Sequence, residues 1–138
     1  MATLLCVDDH PQALAIRKML LETKGYTVLT ADDGPSGIQV VGEHRVDAVV
    51  LDYKMPGMDG AQVAEVLRRE YSTIPIVLLT GVALEVPETL LRMVDAYVRK
   101  GESAEVPLSA IEQVLGRRTR KPSSGTRASA EERGQEIG

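Results

Sequence analysis

The chain has 138 residues, the size of one domain, and is long enough to bury an apolar core without disulfides or structural metals. It is 43% hydrophobic and 26% charged, with neither Phe nor Trp, so aromatic platforms for stacking nucleobases are scarce. The net charge of −4 divides unevenly: residues 1–116 hold ten Lys/Arg against seventeen Asp/Glu, and residues 117–138 hold six against three. An acidic body argues against direct nucleic-acid binding, which depends on neutralising phosphates, and the RRTRK run at 117–121 does not reverse that. No apolar run approaches the roughly 20 residues of a membrane span, and residues 1–7 lack the basic start and long apolar stretch of a signal peptide. A cytoplasmic location without membrane association is the expectation. Cys6 lies in an apolar stretch and reads as a small core residue.

Residues 3–7 form a short, apolar, β-prone run. After Pro11, the residues Ala13, Ile16 and Leu20 recur at helical spacing until Gly25, a natural helix stop. Residues 26–31 read as a second strand, and the Asp32-Asp33-Gly34 turn caps a second helix that runs to about His44. A third, fully apolar strand follows at 48–51. Residues 60–71 carry Val63, Ala64, Leu67 and Tyr71 on one helical face, and 76–79 form a fourth strand behind Pro75. A short helix is predicted to start near Pro87, and a fifth strand at 96–99. Leu108, Ile111, Val114 and Leu115 stripe a last helix expected to stop at Gly116.

Alternating strands and helices imply right-handed crossovers and a parallel sheet, and continuously apolar strands imply burial on both faces. The predicted fold class is doubly wound α/β. Residues 1–118 are expected to form the domain. Residues 119–138, rich in Ser, Gly, Arg and Glu with Ile137 as the lone large apolar residue, are expected to be a disordered tail.

Open parallel sheets bind ligands at the carboxyl ends of their strands. The residues there are Asp8, Asp9 and His10 after the first strand, Asp52 after the third, Thr80 at the fourth and Lys100 after the fifth. Carboxylates about 4 Å apart repel by about 4 kcal/mol at an effective dielectric of 20, so a cation belongs among them. A small set of hard oxygen ligands suits Mg²⁺, with Mn²⁺ a substitute, completed by water and phosphate oxygens. A transferring phosphoryl group would account for acid and base together: Asp52 as nucleophile, the cation and Lys100 neutralising charge. Taken singly, each residue has a plainer reading as a helix cap or turn former; together at four strand ends they do not.

VDDHP at 7–11, LDYKMPGMDG at 51–60, LLTG at 78–81 and DAYVRKG at 95–101 resemble, in order and spacing, the signature of bacterial response-regulator receivers. The resemblance covers about residues 3–117. It implies a flavodoxin-like (βα)5 fold with strand order 2-1-3-4-5, and phosphorylation of Asp52 by a partner histidine kinase or phosphotransfer protein. It further implies that Asp9 binds Mg²⁺ directly, that Asp8 helps through water, and that the backbone carbonyl of Lys54 adds a ligand. Thr80 and Lys100 would hold phosphoryl oxygens, and Tyr97 matches the family's switch aromatic, turning inward as Thr80 moves. Such a chain is a signalling receiver, not a conventional enzyme, expected as a monomer or weak homodimer acting on a downstream protein in trans.

Several positions depart from the family pattern. Gly101 stands where a cis-proline is common, Gly81 where alanine is commoner, and Thr80 to Lys100 is about two positions short, which predicts a short or irregular fourth helix. The resemblance also implies that Lys54 and Val82 stand where side chains flank the path of water attacking the phosphoryl group and so set the rate of phosphate loss. His10 is assigned to the loop before the first helix and His44 to the end of the second. The competing readings are fewer. A haloacid-dehalogenase-type phosphatase needs a second carboxylate where Lys54 stands. A flavodoxin-like cofactor binder needs a neutral phosphate loop where Asp8 and Asp9 stand. The alternative of substance is a receiver fold serving as a protein-interaction adaptor independent of phosphorylation.

Overall fold

The computed structural model describes residues 2–81, 86–99 and 107–119, the last three of these by backbone only. Its elements alternate without exception: β1 (Thr3–Val7), α1 (Pro11–Thr23), β2 (Thr27–Ala31), α2 (Gly34–Glu43), β3 (Ala48–Asp52), α3 (Gly60–Glu70), β4 (Ile76–Thr80), α4 (Glu88–Met93), β5 (Ala96–Arg99) and α5 (Leu108–Thr119). The five strands form one parallel sheet in the order β2-β1-β3-β4-β5. Topology and fold class agree with the expectation from sequence.

The sheet separates two apolar layers, and side-chain alternation along each inner strand feeds both. Leu5 and Val7 of β1, Val49 and Leu51 of β3, and Ile76 and Leu78 of β4 face the layer closed by Val41 of α2, Val63, Ala64 and Leu67 of α3, and Leu90 of α4. Leu4 and Cys6, Ala48 and Val50, and Val77 and Leu79 face the other, closed by Leu14 and Leu21 of α1 and by Ile111 and Val114 of α5. A strand covered on both faces has no polar positions to show, which is why these segments are apolar runs and not alternating patterns.

Helix ends follow local chemistry. At the close of α1 the Gly25 N–H donates to the Glu22 carbonyl and the Tyr26 N–H to the Leu21 carbonyl. That Schellman arrangement needs the left-handed backbone that Gly25 adopts, with φ of 98°. Asp33 caps α2 by accepting from the Ser36 N–H at 2.8 Å. Asp59 and Gln62 form a reciprocal capping box at the start of α3, at 3.0 and 2.9 Å. Arg68 of α3 donates to the carbonyls of Ile74 and Met93 and pairs with Asp95, which also accepts the Ile76 N–H. This ties α3 to the chain entering β4 and β5.

Two expectations are corrected. The buried face of α1 is Leu14, Arg17 and Leu21, one position on from the Ala13, Ile16 and Leu20 stripe; Ile16 and Leu20 are exposed instead. Two leucines a full seven residues apart anchor the helix more strongly than the shorter Ala13 could, and Arg17 between them is drawn inward by a buried carboxylate. The last helix also does not stop at Gly116 but continues to Thr119, since Gly116 keeps an ordinary backbone and nothing obliges it to terminate the helix. The fourth helix is short, as expected, with six residues. The anticipated tail, apart from Thr119, lies outside the described residues.

Candidate functional site at the carboxyl edge of the sheet

The central strands deliver their polar ends to one edge. Parallel register sets Val7 of β1 beside Leu51 of β3, and Asp52 beside Leu79 of β4. Asp8, the residue after Val7, therefore falls level with Asp52 on the adjacent strand, and Thr80 is one step beyond Leu79. Among the described residues the buried polar or charged side chains are Asp8, Arg17, Asp52 and Thr80. Charged groups are rarely fully buried unless paired, so such a set near one end of a parallel sheet marks a candidate site.

The acidic loop after β1 brings Asp8, Asp9 and His10 together, with one ligand atom from each lying within 4.8 Å of the others. Asp8 Oδ1 accepts the His10 backbone N–H at 3.0 Å, and the His10 ring Nδ1 lies 3.3 Å from the same oxygen and 3.2 Å from Asp9 Oδ1. The latter approach lacks hydrogen-bond geometry. Asp9 Oδ1 is thus a buried oxygen with no hydrogen-bond partner among the described residues. A carboxylate oxygen left in that state calls for a cation, and the surrounding oxygen donors are of the hard type that Mg²⁺ prefers. The residues fit the ion that the sequence implies.

Beside them opens a cavity of about 590 Å³ lined by Asp9, His10, Tyr53, Lys54, Met55, Pro56 and Asp59. Its floor is the β3–α3 turn. The Tyr53 N–H donates to the Leu79 carbonyl at 2.9 Å, and the Gly60 N–H closes the turn onto the Tyr53 carbonyl at 2.8 Å. Only glycine fits at position 60, because a Cβ there would lie 2.8 Å from both the Asp52 carbonyl oxygen and Tyr53 Cα. The turn therefore presses on the backbone that carries Asp52. Lys54 is exposed at the rim.

Tyr97 lies on β5 opposite Leu78 of β4, half-buried against the α3–α4 layer. Its hydroxyl is buried without a hydrogen-bond partner among the described residues. Lys100, Gly101 and Val82 lie outside the described residues. The structure accordingly gathers Asp8, Asp9, Asp52 and Thr80 at one edge, sets the Lys54 backbone in the adjoining turn, and leaves Tyr97 one strand away.

Sequence reading missed Arg17. Its guanidinium reaches Asp8 Oδ2 through both terminal nitrogens, at 3.3 and 3.4 Å. The available signal was a cation midway between Leu14 and Leu21, on the stripe where the core should be. The same neighbourhood affects Cys6, whose thiol is pushed up to about 12 chiefly by burial, with Arg17 opposing and Asp8 reinforcing the shift.

A doubly wound parallel sheet with buried acidic groups at its carboxyl edge is the arrangement expected of the receiver class of signalling domains. The family described as response regulator receiver domain matches residues 4–111, and the chain belongs to it. It is 38% identical over 103 residues to the sensor protein GacS of Pseudomonas syringae, a match covering 70% of this chain and 11% of that protein. It is 41% identical over 79 residues to the probable transcriptional regulatory protein TcrX of Mycobacterium tuberculosis, covering 57% and 34%. The matched part is thus about a third or less of these relatives. Among solved structures it resembles the response regulator protein TrrA of Thermotoga maritima in complex with Mg²⁺ and BeF, with a TM-score of 0.77, 28% identity, and coverage of 83% of this chain and 99% of that one. TrrA in complex with the histidine kinase ThkA gives a TM-score of 0.75 at 29% identity, with the same coverage. No helix among the described residues is long and apolar enough to cross a membrane.

Proposed function

We propose that this chain is the phosphoacceptor receiver of a two-component phosphorelay, working in the cytoplasm, with Asp52 as the acceptor. The observation that carries the reading is the buried set Asp8, Asp52 and Thr80 at one sheet edge, beside a buried Asp9 oxygen that has no hydrogen-bond partner among the described residues. An Asp52 carboxylate oxygen attacks the phosphorus of a phosphohistidine on a kinase or phosphotransfer protein. The P–N bond breaks and its electron pair returns to the imidazole. Asp52 is fixed for this by its place at the end of β3 and by the turn packed against its carbonyl. Asp8, Asp9, Asp52 and the Lys54 carbonyl would hold Mg²⁺, which when bound neutralises charge on the phosphoryl oxygens.

Thr80 Oγ1 and the Lys100 ammonium would hold two of those oxygens, and Tyr97, whose hydroxyl has no hydrogen-bond partner among the described residues, would follow Thr80 inward. Phosphorylation adds between one and two negative charges, enough to shift a loop between two arrangements of similar energy. The resulting change on the α4–β5–α5 face is read by another protein. That ThkA binds TrrA and that TrrA accepts Mg²⁺ with BeF support the reading for a chain of the same family. Incubating the protein with Mg²⁺ and a small phosphodonor and recording intact mass tests it. One phosphoryl group should add to the wild type and none to Asp52→Ala; no gain in the wild type, as an adaptor independent of phosphorylation would show, rejects the reading.

A further inference from the structure

Arg17 occupies the middle of the inward stripe of α1, between Leu14 and Leu21, and is 8% exposed. An apolar side chain would pack there without penalty, whereas a guanidinium taken from water is unfavourable unless it meets a negative partner. Its partner is Asp8, which is fully buried. The two terminal nitrogens converge on the single oxygen Oδ2, at 3.3 and 3.4 Å, and do not fork across both oxygens. Oδ1 is left to the other side, where it accepts the His10 N–H and faces the His10 ring that also approaches Asp9. The carboxylate is divided: Oδ2 toward the helix, Oδ1 toward the acidic loop.

From this division we infer that Arg17 is a built-in counter-ion of the acidic site, and that Arg17 and the divalent cation neutralise the same carboxylate, Asp8, from opposite sides. The inference rests on the cation-site reading given above. The two charges are coupled with negative sign. Arg17 stabilises the folded chain when no cation is bound and weakens cation binding when one arrives. Arg17 also steadies the Asp8 carboxylate, an effect that would favour binding, but the His10 N–H and complete burial already fix Asp8. The charge effect therefore dominates.

Isothermal titration of the 138-residue protein with MgCl₂, paired with thermal unfolding with and without Mg²⁺, tests this on wild type, Arg17→Met and Arg17→Lys. Arg17→Met should bind Mg²⁺ about tenfold more tightly, the effect of removing one unit of like charge near a divalent ion. It should also melt lower than wild type without Mg²⁺ and recover a larger part of the difference when Mg²⁺ is added. Arg17→Lys, which keeps the charge, should stay within about twofold of wild type in affinity. Equal or weaker Mg²⁺ binding by Arg17→Met overturns the inference, as does a variant that remains unfolded at saturating Mg²⁺, for then Arg17 serves packing and the cation cannot replace it. A wild type that binds no Mg²⁺ overturns the cation-site reading and this inference together, whereas a binding wild type with an unchanged Arg17→Met overturns this one alone.

Discussion

Replacing Gly60 with alanine should damage the protein out of proportion to one added methyl group. The new Cβ would sit 2.8 Å from the Asp52 carbonyl oxygen, 2.8 Å from Tyr53 Cα and 3.2 Å from the Tyr53 carbonyl oxygen. All three are backbone atoms of the strand end and turn, and none can rotate away as a flexible side chain would. Overpacking of this kind costs about 1–3 kcal/mol, and stretching the Gly60 N–H bond to Tyr53 O removes about 1 kcal/mol more. A total of about 2–4 kcal/mol corresponds to a urea midpoint lower by roughly 1–2 M at a slope near 2 kcal/mol/M. Gly116→Ala is the natural control, because it lies inside α5 with nothing among the described residues within 4 Å of its missing Cβ. It should raise stability by about 0.5–1 kcal/mol, the helix preference of alanine over glycine. Urea unfolding followed by circular dichroism measures both. A Gly60→Ala protein within about 0.5 kcal/mol of wild type would refute the reasoning, since the turn would then not be held against Asp52 as described.

Cys6 should resist thiol reagents in the native protein at mildly alkaline pH, because burial pushes its thiol up to about 12, and react at once in urea; native labelling at the rate of a free thiol contradicts its burial. The hydrogen bonds Asp33 accepts at the start of α2, from the Ser36 backbone first, hold its carboxyl below its ordinary value of 3.8. Its contribution to stability is thus present above that value and lost as pH falls through the folded pKa, so the melting-temperature gap between wild type and Asp33→Ala should narrow in acid. A gap that widens as pH falls would refute the cap's charge as its source. Tyr97→Phe deletes a buried hydroxyl with no partner among the described residues, and should leave stability unchanged or higher by up to about 1 kcal/mol in urea unfolding. A loss larger than that would mean that the hydroxyl is bonded.

The fold was legible where burial leaves no choice. Apolar runs at 3–7, 48–51 and 76–79 have no polar face because the sheet is covered twice, and such runs imply a parallel sheet with crossovers. Asp8, Asp9, Asp52 and Thr80 were legible as a set because each follows or ends such a run. The phase of α1 was not. Apolar residues occupy Leu14, Ile16, Met19, Leu20 and Leu21, so more than one stripe satisfies helical spacing, and choosing between them requires knowing that Arg17 finds a buried carboxylate. A charged residue on a core stripe reads as a contradiction from sequence and becomes intelligible only when its partner, nine residues away, is placed beside it. The extent of α5 was misjudged for a related reason. Glycine permits a helix to end without requiring it, and Gly116 has no positive φ to spend.

The central claim is that Asp52, and no other acidic residue at this edge, carries the phosphoryl group. Treating the Mg²⁺- and phosphodonor-incubated protein with borohydride reduces an aspartyl phosphate to homoserine, and peptide mass spectrometry then locates it. The account predicts homoserine at position 52 alone, with Asp8 and Asp9 intact. Homoserine at position 8 or 9, or a phosphoryl group on His10 or His44 with Asp52 unmodified, would contradict it.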